Sequence, residues 1–287
     1  MNGLCFAGGG VKAAAHIGAL KAIEEKGLKF DCVSGASSGS IIATMYALGY
    51  NSDEMWLMFK KFAPKIKYYQ WRKILKLIIG LIFKRCIIID GLNDGKIIEN
   101  IINDICLKHE IHNINQIKMP LLIPMVNLKD GTVYMASSKQ SRTVFSDNVK
   151  YITNIPIGTV VKSSCSYPIV FSPCEFNNIQ LVDGGIRENL PWRELKLIGA
   201  DKVLGISFNT IFEEGDCCSN IIDIASRALE LQGRELAIYE KDGIDQLINI
   251  NLKKISLLDA SKIEELYREG YKQAKLQLKN IDNFTIL

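Results

Sequence analysis

Apolar and polar positions alternate along this chain in two rhythms. "GLCFA" at 3–7 is a short apolar run closed by three glycines, and "AAAHIGALKAIEEKG" at 13–27 follows with helical spacing and a glycine stop. The same strand-to-helix step recurs at once: "DCVSG" at 31–35 predicts a second strand, and a helix runs on from Ser38 to about Leu48. Further along, "PLLIPMVNL" and "GTVYMAS" predict a strand pair, while "IQLVDGG", "KVLGISF" and "QLININ" predict three more strands. Helices are expected at about 190–198, 220–240 and 261–279. Strands taking turns with helices imply an α/β fold with helices on both faces of the sheet. No repeat, low-complexity tract or linker interrupts it, so one domain over 1–287 is expected, with a C-terminal helical scaffold at about 220–287 that carries no recognisable chemistry.

One segment departs from this pattern. Within a basic helical insertion expected at about 53–110, "YYQWRKILKLIIGLIFKR" places Arg72, Lys76 and Lys84 at multiples of four, with Lys73 beside them. Trp71, Ile74, Leu75, Ile78, Leu81 and Ile82 fill the other sides. Nine Lys or Arg and no Asp or Glu lie between Lys60 and Arg85, although the whole chain of 287 residues has a net charge of only +4. The overall balance implies no nucleic-acid partner, and the local one suits peripheral contact with an anionic membrane surface. An ordinary helix with a lysine-rich solvent face, or a lid over the site, fits the same pattern. The run "LIIGLIF" at 77–83 is far short of the roughly 20 residues a span requires. "MNGLCFAGGGVKAAAH" lacks the basic start and unbroken apolar core of a secretory signal. Eight scattered cysteines, with no CxxC pair, fit reduced thiols and a cytoplasmic location, and the adjacent Cys217 and Cys218 read as incidental.

Candidate chemistry starts at "SGASSGS". Gly35, Ser37 and Gly39 form G-x-S-x-G at a strand-to-helix turn, where glycine on either flank leaves the serine oxygen standing free of the sheet edge. Gly and Ser are also common in ordinary turns, and Ser34, Ser38 and Ser40 read as turn and capping residues. Gly8, Gly9 and Gly10 close the first strand and open a helix, so their N–H groups can converge on an anion. Gly8, Gly10 and Ala13 also satisfy a dinucleotide fingerprint, but that fingerprint wants an acidic residue at the end of the second strand, and Asp31 stands at its beginning. Of three histidines, His16 lies inside the first helix and reads as packing, while His109 and His112 resemble a solvated pair. None follows the serine late in the chain, so a base would be a carboxylate. Asp183 in "IQLVDGGIRENLP" ends a strand and reaches the edge that holds Ser37 if the strands are parallel; an Asp-Gly turn is the plainer reading.

Four stretches in this order, "GGGVKAAAHIGAL", "GASSGS", "VVKSSCSYPIVFSP" and "VDGGIRENLP", resemble the patatin-like phospholipases over roughly the first two thirds of the chain. The resemblance implies a three-layer α/β/α sandwich with a mostly parallel central sheet. It also implies a Ser-Asp dyad that cleaves acyl esters of phospholipids or other lipids without metal or cofactor. It assigns Ser37 as nucleophile, Asp183 as base and Gly8, Gly9 and Gly10 as oxyanion loop, supported by Lys12, Gly35, Gly39, Gly184 and Gly185. Two departures stand out: Lys12 replaces the family's usual arginine and Ala13 the glycine after it. A lipid acyl hydrolase is therefore expected, with a transacylase using the same site, or a catalytically idle lipid-binding protein, as the other readings. An acyltransferase of the malonyl-carrier type would want a histidine beside the serine, where this chain has Ala36.

Overall fold

A computed structural model describes residues 1–139, 148–211 and 221–281; the adjacent Cys217 and Cys218 lie outside them. The central strand, β1 (Asn2–Phe6), runs parallel to β2 (Cys32–Gly35) on one side and to β8 (Lys202–Ile211) on the other. Beyond β2 come β3 (Leu121–Asn127), parallel to it, then antiparallel β4 (Val133–Ser137) and β5 (Val149–Ile152). Beyond β8 lies β9 (Gln246–Lys253), also parallel. A hairpin of β6 (Cys174–Phe176) and β7 (Ile179–Asp183) joins through β7, which pairs antiparallel with β3. The short strands β5 and β6 carry no alternation long enough to be read from sequence.

Residues of one strand divide between two cores because successive side chains point to opposite faces. Leu4 and Phe6 of β1 face the larger core, and Cys5 faces the smaller one. Covering the larger face are α1 (Ala13–Glu25), α2 (Ser38–Ala47), α3 (Ser52–Phe62), α5 (Lys96–Leu107), α6 (Ile157–Ser164) and α9 (Ile263–Gln277). The other face is thinner, covered by α7 (Arg193–Leu197) with Leu190, Trp192 and Ala200. The result is a mostly parallel sheet between helical layers, as the α/β/α expectation requires, but the layers are unequal.

Two expectations change. The C-terminal region is not a helical scaffold alone: β9 extends the sheet between α8 (Ile221–Lys241) and α9. It also reaches the site, since Leu257 O accepts the Val11 N–H at 2.7 Å and Glu240 Oε1 accepts the Asn189 N–H at 2.6 Å. Within 53–110, α3 and α5 bury Met55, Phe59, Ile98 and Ile102 in the larger core. Only α4 (Trp71–Ile79) has no buried residue, and it passes into a π-helical turn, Gly80–Lys84, that Arg85 ends at φ 51°. The expected continuous basic helix is thus a nine-residue helix and a wider turn.

Candidate active site

Ser37 stands where β2 hands over to α2. Its φ of 50° and ψ of −128° are costly for a residue with a Cβ and mark a sharp elbow held by its surroundings. The two flanking glycines explain how the elbow closes. A Cβ on Gly35 would run into the Gly39 carbonyl, and one on Gly39 would run into the Phe6 and Ala7 carbonyls of the neighbouring strand. The neighbouring serines are not caps: Ser34 Oγ donates to Pro191 O at 2.7 Å, Ser40 Oγ donates back to Ser37 O at 2.6 Å, and Ser38 Oγ is buried without a partner among the described residues. Ser164 Oγ, at the end of α6, accepts the Ser37 N–H at 3.0 Å and fixes the elbow from a third side.

Asp183 arrives by a route the sequence does not reveal. β7 is antiparallel to β3, so the expected parallel arrangement is incorrect. β4 occupies one edge of β3 from Leu122 to Val126. The other edge is shared, with β2 pairing at Leu121 and Leu122 and β7 at Met125, Val126 and Asn127. The two strands therefore approach head-on, and their C-terminal ends meet beside the middle of β3. Ser37 Oγ donates to Asp183 Oδ2 at 2.7 Å across that meeting point. Gly185 N–H donates to Asp183 Oδ1 at 2.8 Å, and Asp183 N–H to Ser166 O at 3.1 Å, so both carboxylate oxygens and the backbone are oriented.

Burial raises the basicity of Asp183. The residue is 2% exposed, and its pKa is pushed up to about 7 by loss of hydration, with the hydrogen bonds from Ser37 and Gly185 pulling partly the other way. The partly exposed Ser37 beside it leaves the pair reachable from outside.

The glycine loop lies against Ser37. Gly8 N–H is already committed, donating to Asn189 Oδ1 at 3.0 Å and to Asn189 O at 3.2 Å. The Gly9 and Gly10 N–H groups donate to no acceptor among the described residues, and Gly10 adopts φ 59°, where a Cβ would also strike the Leu257 carbonyl. Lys12 is buried but does not reach the dyad: its Nζ donates to Thr210 Oγ1 at 2.8 Å, and burial lowers its pKa. His16 holds the loop's start, its Nε2 hydrogen-bonded to Ala7 O at 2.7 Å, and burial depresses its pKa to about 4, so the ring is neutral. His109 sits beside the Tyr50 hydroxyl at 3.0 Å on the surface.

Three further contributors, Asn189, Ser164 and Ser166, lie inside two of the resembling stretches, but nothing in the pattern singles them out. Asn189 braces Gly8 while its own N–H is held by Glu240, whose pKa burial raises to about 7. Ser164 and Ser166, both in the "VVKSSCSYPIVFSP" stretch, bond to Ser37 and Asp183 respectively. A polar residue that follows "DGG" or ends a helix is the sole hint the sequence offers.

Comparisons with known proteins agree with this architecture. A lysophospholipase of the yeast Meyerozyma guilliermondii is 24% identical over 302 aligned positions, which cover 94% of this chain and 18% of that protein. YqhO of Bacillus subtilis, an uncharacterized protein, is 30% identical over 203 positions, covering 65% of this chain and 64% of its own length. The chain thus spans under a fifth of the fungal relative and somewhat under two thirds of the bacterial one. VipD from Legionella pneumophila shares the fold, with a TM-score of 0.54 at 16% identity over 97% of this chain and 67% of its own. Residues 4–196, from β1 through the elbow and Asp183 to α7, match the sequence model of the patatin-like phospholipases, and the chain belongs to that family.

Proposed function

We propose that this protein is a lipid acyl hydrolase that cleaves carboxylic esters of phospholipid or lysophospholipid through an acyl-enzyme on Ser37. The observation that carries this reading is the 2.7 Å hydrogen bond from Ser37 Oγ to a buried carboxylate whose pKa lies near 7. An exposed aspartate of ordinary pKa, near ~4, is too weak a base for a serine hydroxyl. Family membership supports a lipid substrate, and the name of the fungal relative supports a lysophospholipid among those to be tried.

Ser37 Oγ attacks the ester carbonyl as its proton passes to Asp183, and the tetrahedral oxyanion turns toward the glycine loop. Gly9 and Gly10 supply the free N–H donors there, with Gly8 held in place by Asn189. The partial positive charge at the N-terminus of α2 favours the same negative charge. Collapse expels the lysolipid or glycerol alcohol, which takes its proton back from Asp183. Water then attacks the acyl-enzyme, gives its proton to Asp183 and leaves a fatty acid, and Ser37 recovers its hydrogen. Gly35, Gly39, Gly184 and Gly185 serve the backbone geometry, and Lys12 supports the loop from its buried position. The chain acts as one domain, in which the stretch around α4 is an insertion. Buried, unpaired Cys5, Cys32, Cys106, Cys165 and Cys174 favour a reducing, cytoplasmic setting, from which the protein meets membrane lipid peripherally. Among the described residues no helix is long and apolar enough to cross a bilayer.

A fluorophosphonate probe should label the wild-type chain and leave Ser37→Ala unlabelled. Turnover of phospholipid, lysophospholipid, neutral glyceride and short-chain ester then ranks the substrates. Labelling that survives in Ser37→Ala, or a wild type that turns over none of the four, overturns the assignment.

A further inference from the structure

The helices of the larger core turn their apolar sides inward; α4 does the reverse. Lys73, Ile74 and Leu77 face the protein, only partly covered, and no residue of the helix is buried. Trp71 is 77% exposed, Leu75 58%, Ile78 46% and Ile82 64%, and Phe83 in the following turn reaches 78%. Positions 71, 75, 78 and 82 are spaced by four, three and four residues, which is one face of a helix. A continuous apolar stripe of this kind has no counterpart in scattered surface leucines, and marks a surface built to be covered.

Charge says by what. No Asp or Glu occurs between Glu54 and Asp90, and Arg72, Lys76 and Arg85 are exposed beside the stripe with no carboxylate partner among the described residues. Lys73 is different: it pairs with Asp90 at 2.5 Å and donates to Ser172 Oγ at 2.9 Å, so it fastens the helix with its apolar face outward. A second copy docking face to face would oppose like charges, whereas an anionic lipid surface offers both hydrocarbon and phosphate.

The mount of α4 ties it to the site. At one end, Gln70 N–H donates to Leu92 O at 2.9 Å, Leu92 N–H to Ile169 O at 3.1 Å and Asn93 N–H to Val170 O at 2.9 Å. That loop includes Ser166, whose carbonyl holds Asp183. At the same end, just before Gln70, the Tyr68 hydroxyl bonds to Ser256 Oγ and accepts the Leu258 N–H at 3.2 Å, on either side of Leu257, the residue that braces Val11 and Gly10. The helix is carried by the loops adjoining both halves of the candidate site.

We propose that α4 and the turn Gly80–Lys84 form a docking surface for an anionic lipid bilayer, which brings the mouth of the Ser37–Asp183 site to the membrane. Trp71 and Phe83 enter at headgroup depth, Leu75, Ile78 and Ile82 reach the acyl boundary, and Arg72, Lys76 and Arg85 meet phosphates. What is delivered there rests on the hydrolase reading above; the docking itself does not.

The test uses the full chain with vesicles of phosphatidylcholine containing phosphatidylserine, against vesicles of phosphatidylcholine alone. Wild type should sediment with the mixed vesicles, less so at high salt. Trp71→Ala with Phe83→Ala should weaken that binding about tenfold or more, cut hydrolysis of vesicle phospholipid in step, and leave turnover of a soluble short-chain ester within about twofold. Arg72→Glu with Lys76→Glu should lose the preference for phosphatidylserine. Equal sedimentation of wild type and the Trp71, Phe83 variant overturns the proposal, as does a wild-type dimer that this variant converts to monomer. Vesicle binding by a wild type that hydrolyses no ester would leave docking standing and sink the hydrolase reading alone.

Discussion

α2 and α4 are helices of nearly equal length, 10 and 9 residues, both rich in isoleucine, yet one is sealed inside the molecule and the other stands outside it. Ile41, Ile42 and Met45 of α2 pack under the sheet, and their burial fixes the elbow at Ser37. In α4 the residue clamped to the protein is a lysine, and Trp71, Leu75, Ile78 and Ile79 point away. Hydrophobic content alone therefore does not say which way a helix faces. Neighbours do: α2 follows a central strand at a turn with no room for side chains, whereas α4 is suspended between two loops by polar contacts.

That contrast can be broken at several points. The largest effect belongs to the elbow side, where Asp183→Asn should lower kcat/KM on a soluble ester by roughly a thousandfold or more, with normal thermal unfolding, because the base is removed and the shape kept. Next comes pH. A base with a pKa near 7 works only when ionised, so kcat/KM should fall about tenfold per unit of pH below that value and level off above it. A flat profile between pH 5 and 8 would be incompatible with the raised basicity of Asp183. Ile42→Ala, in α2, should cost about 2–5 kcal/mol of stability in a denaturant titration. Leu75→Gln, in α4, should change stability by less than about 0.5 kcal/mol, because that side chain is already in water. If the last two variants were equally destabilised, α4 would have a covered face after all.

What could be read in advance follows the same division. The elbow was legible because the demands on Gly35 and Gly39 are local, set by a strand that must become a helix within a few residues. Asp183 was legible as a strand-ending carboxylate before two glycines. How it meets Ser37 was not, since β3 gives one edge to two strands running in opposite senses, and that register depends on residues far apart in the chain. Asn189 was invisible for a similar reason: nothing near it announces that Gly8 lies against its side chain. A pattern fixes an amphipathic helix but not its orientation, so membrane, solvent and lid all fit the sequence of α4.

The head-on meeting of β2 and β7 has a bearing on how the protein is made. The alcohol and the carboxyl are separated by 146 positions in the chain, and neither strand alone brings a reactive group to the other. A ribosome releasing this polypeptide exposes the glycine loop and the serine long before the aspartate emerges. If the proposed mechanism holds, esterase activity cannot begin until the strand carrying Asp183 has zipped into place, so turnover of a soluble ester should report completion of this part of the sheet during refolding.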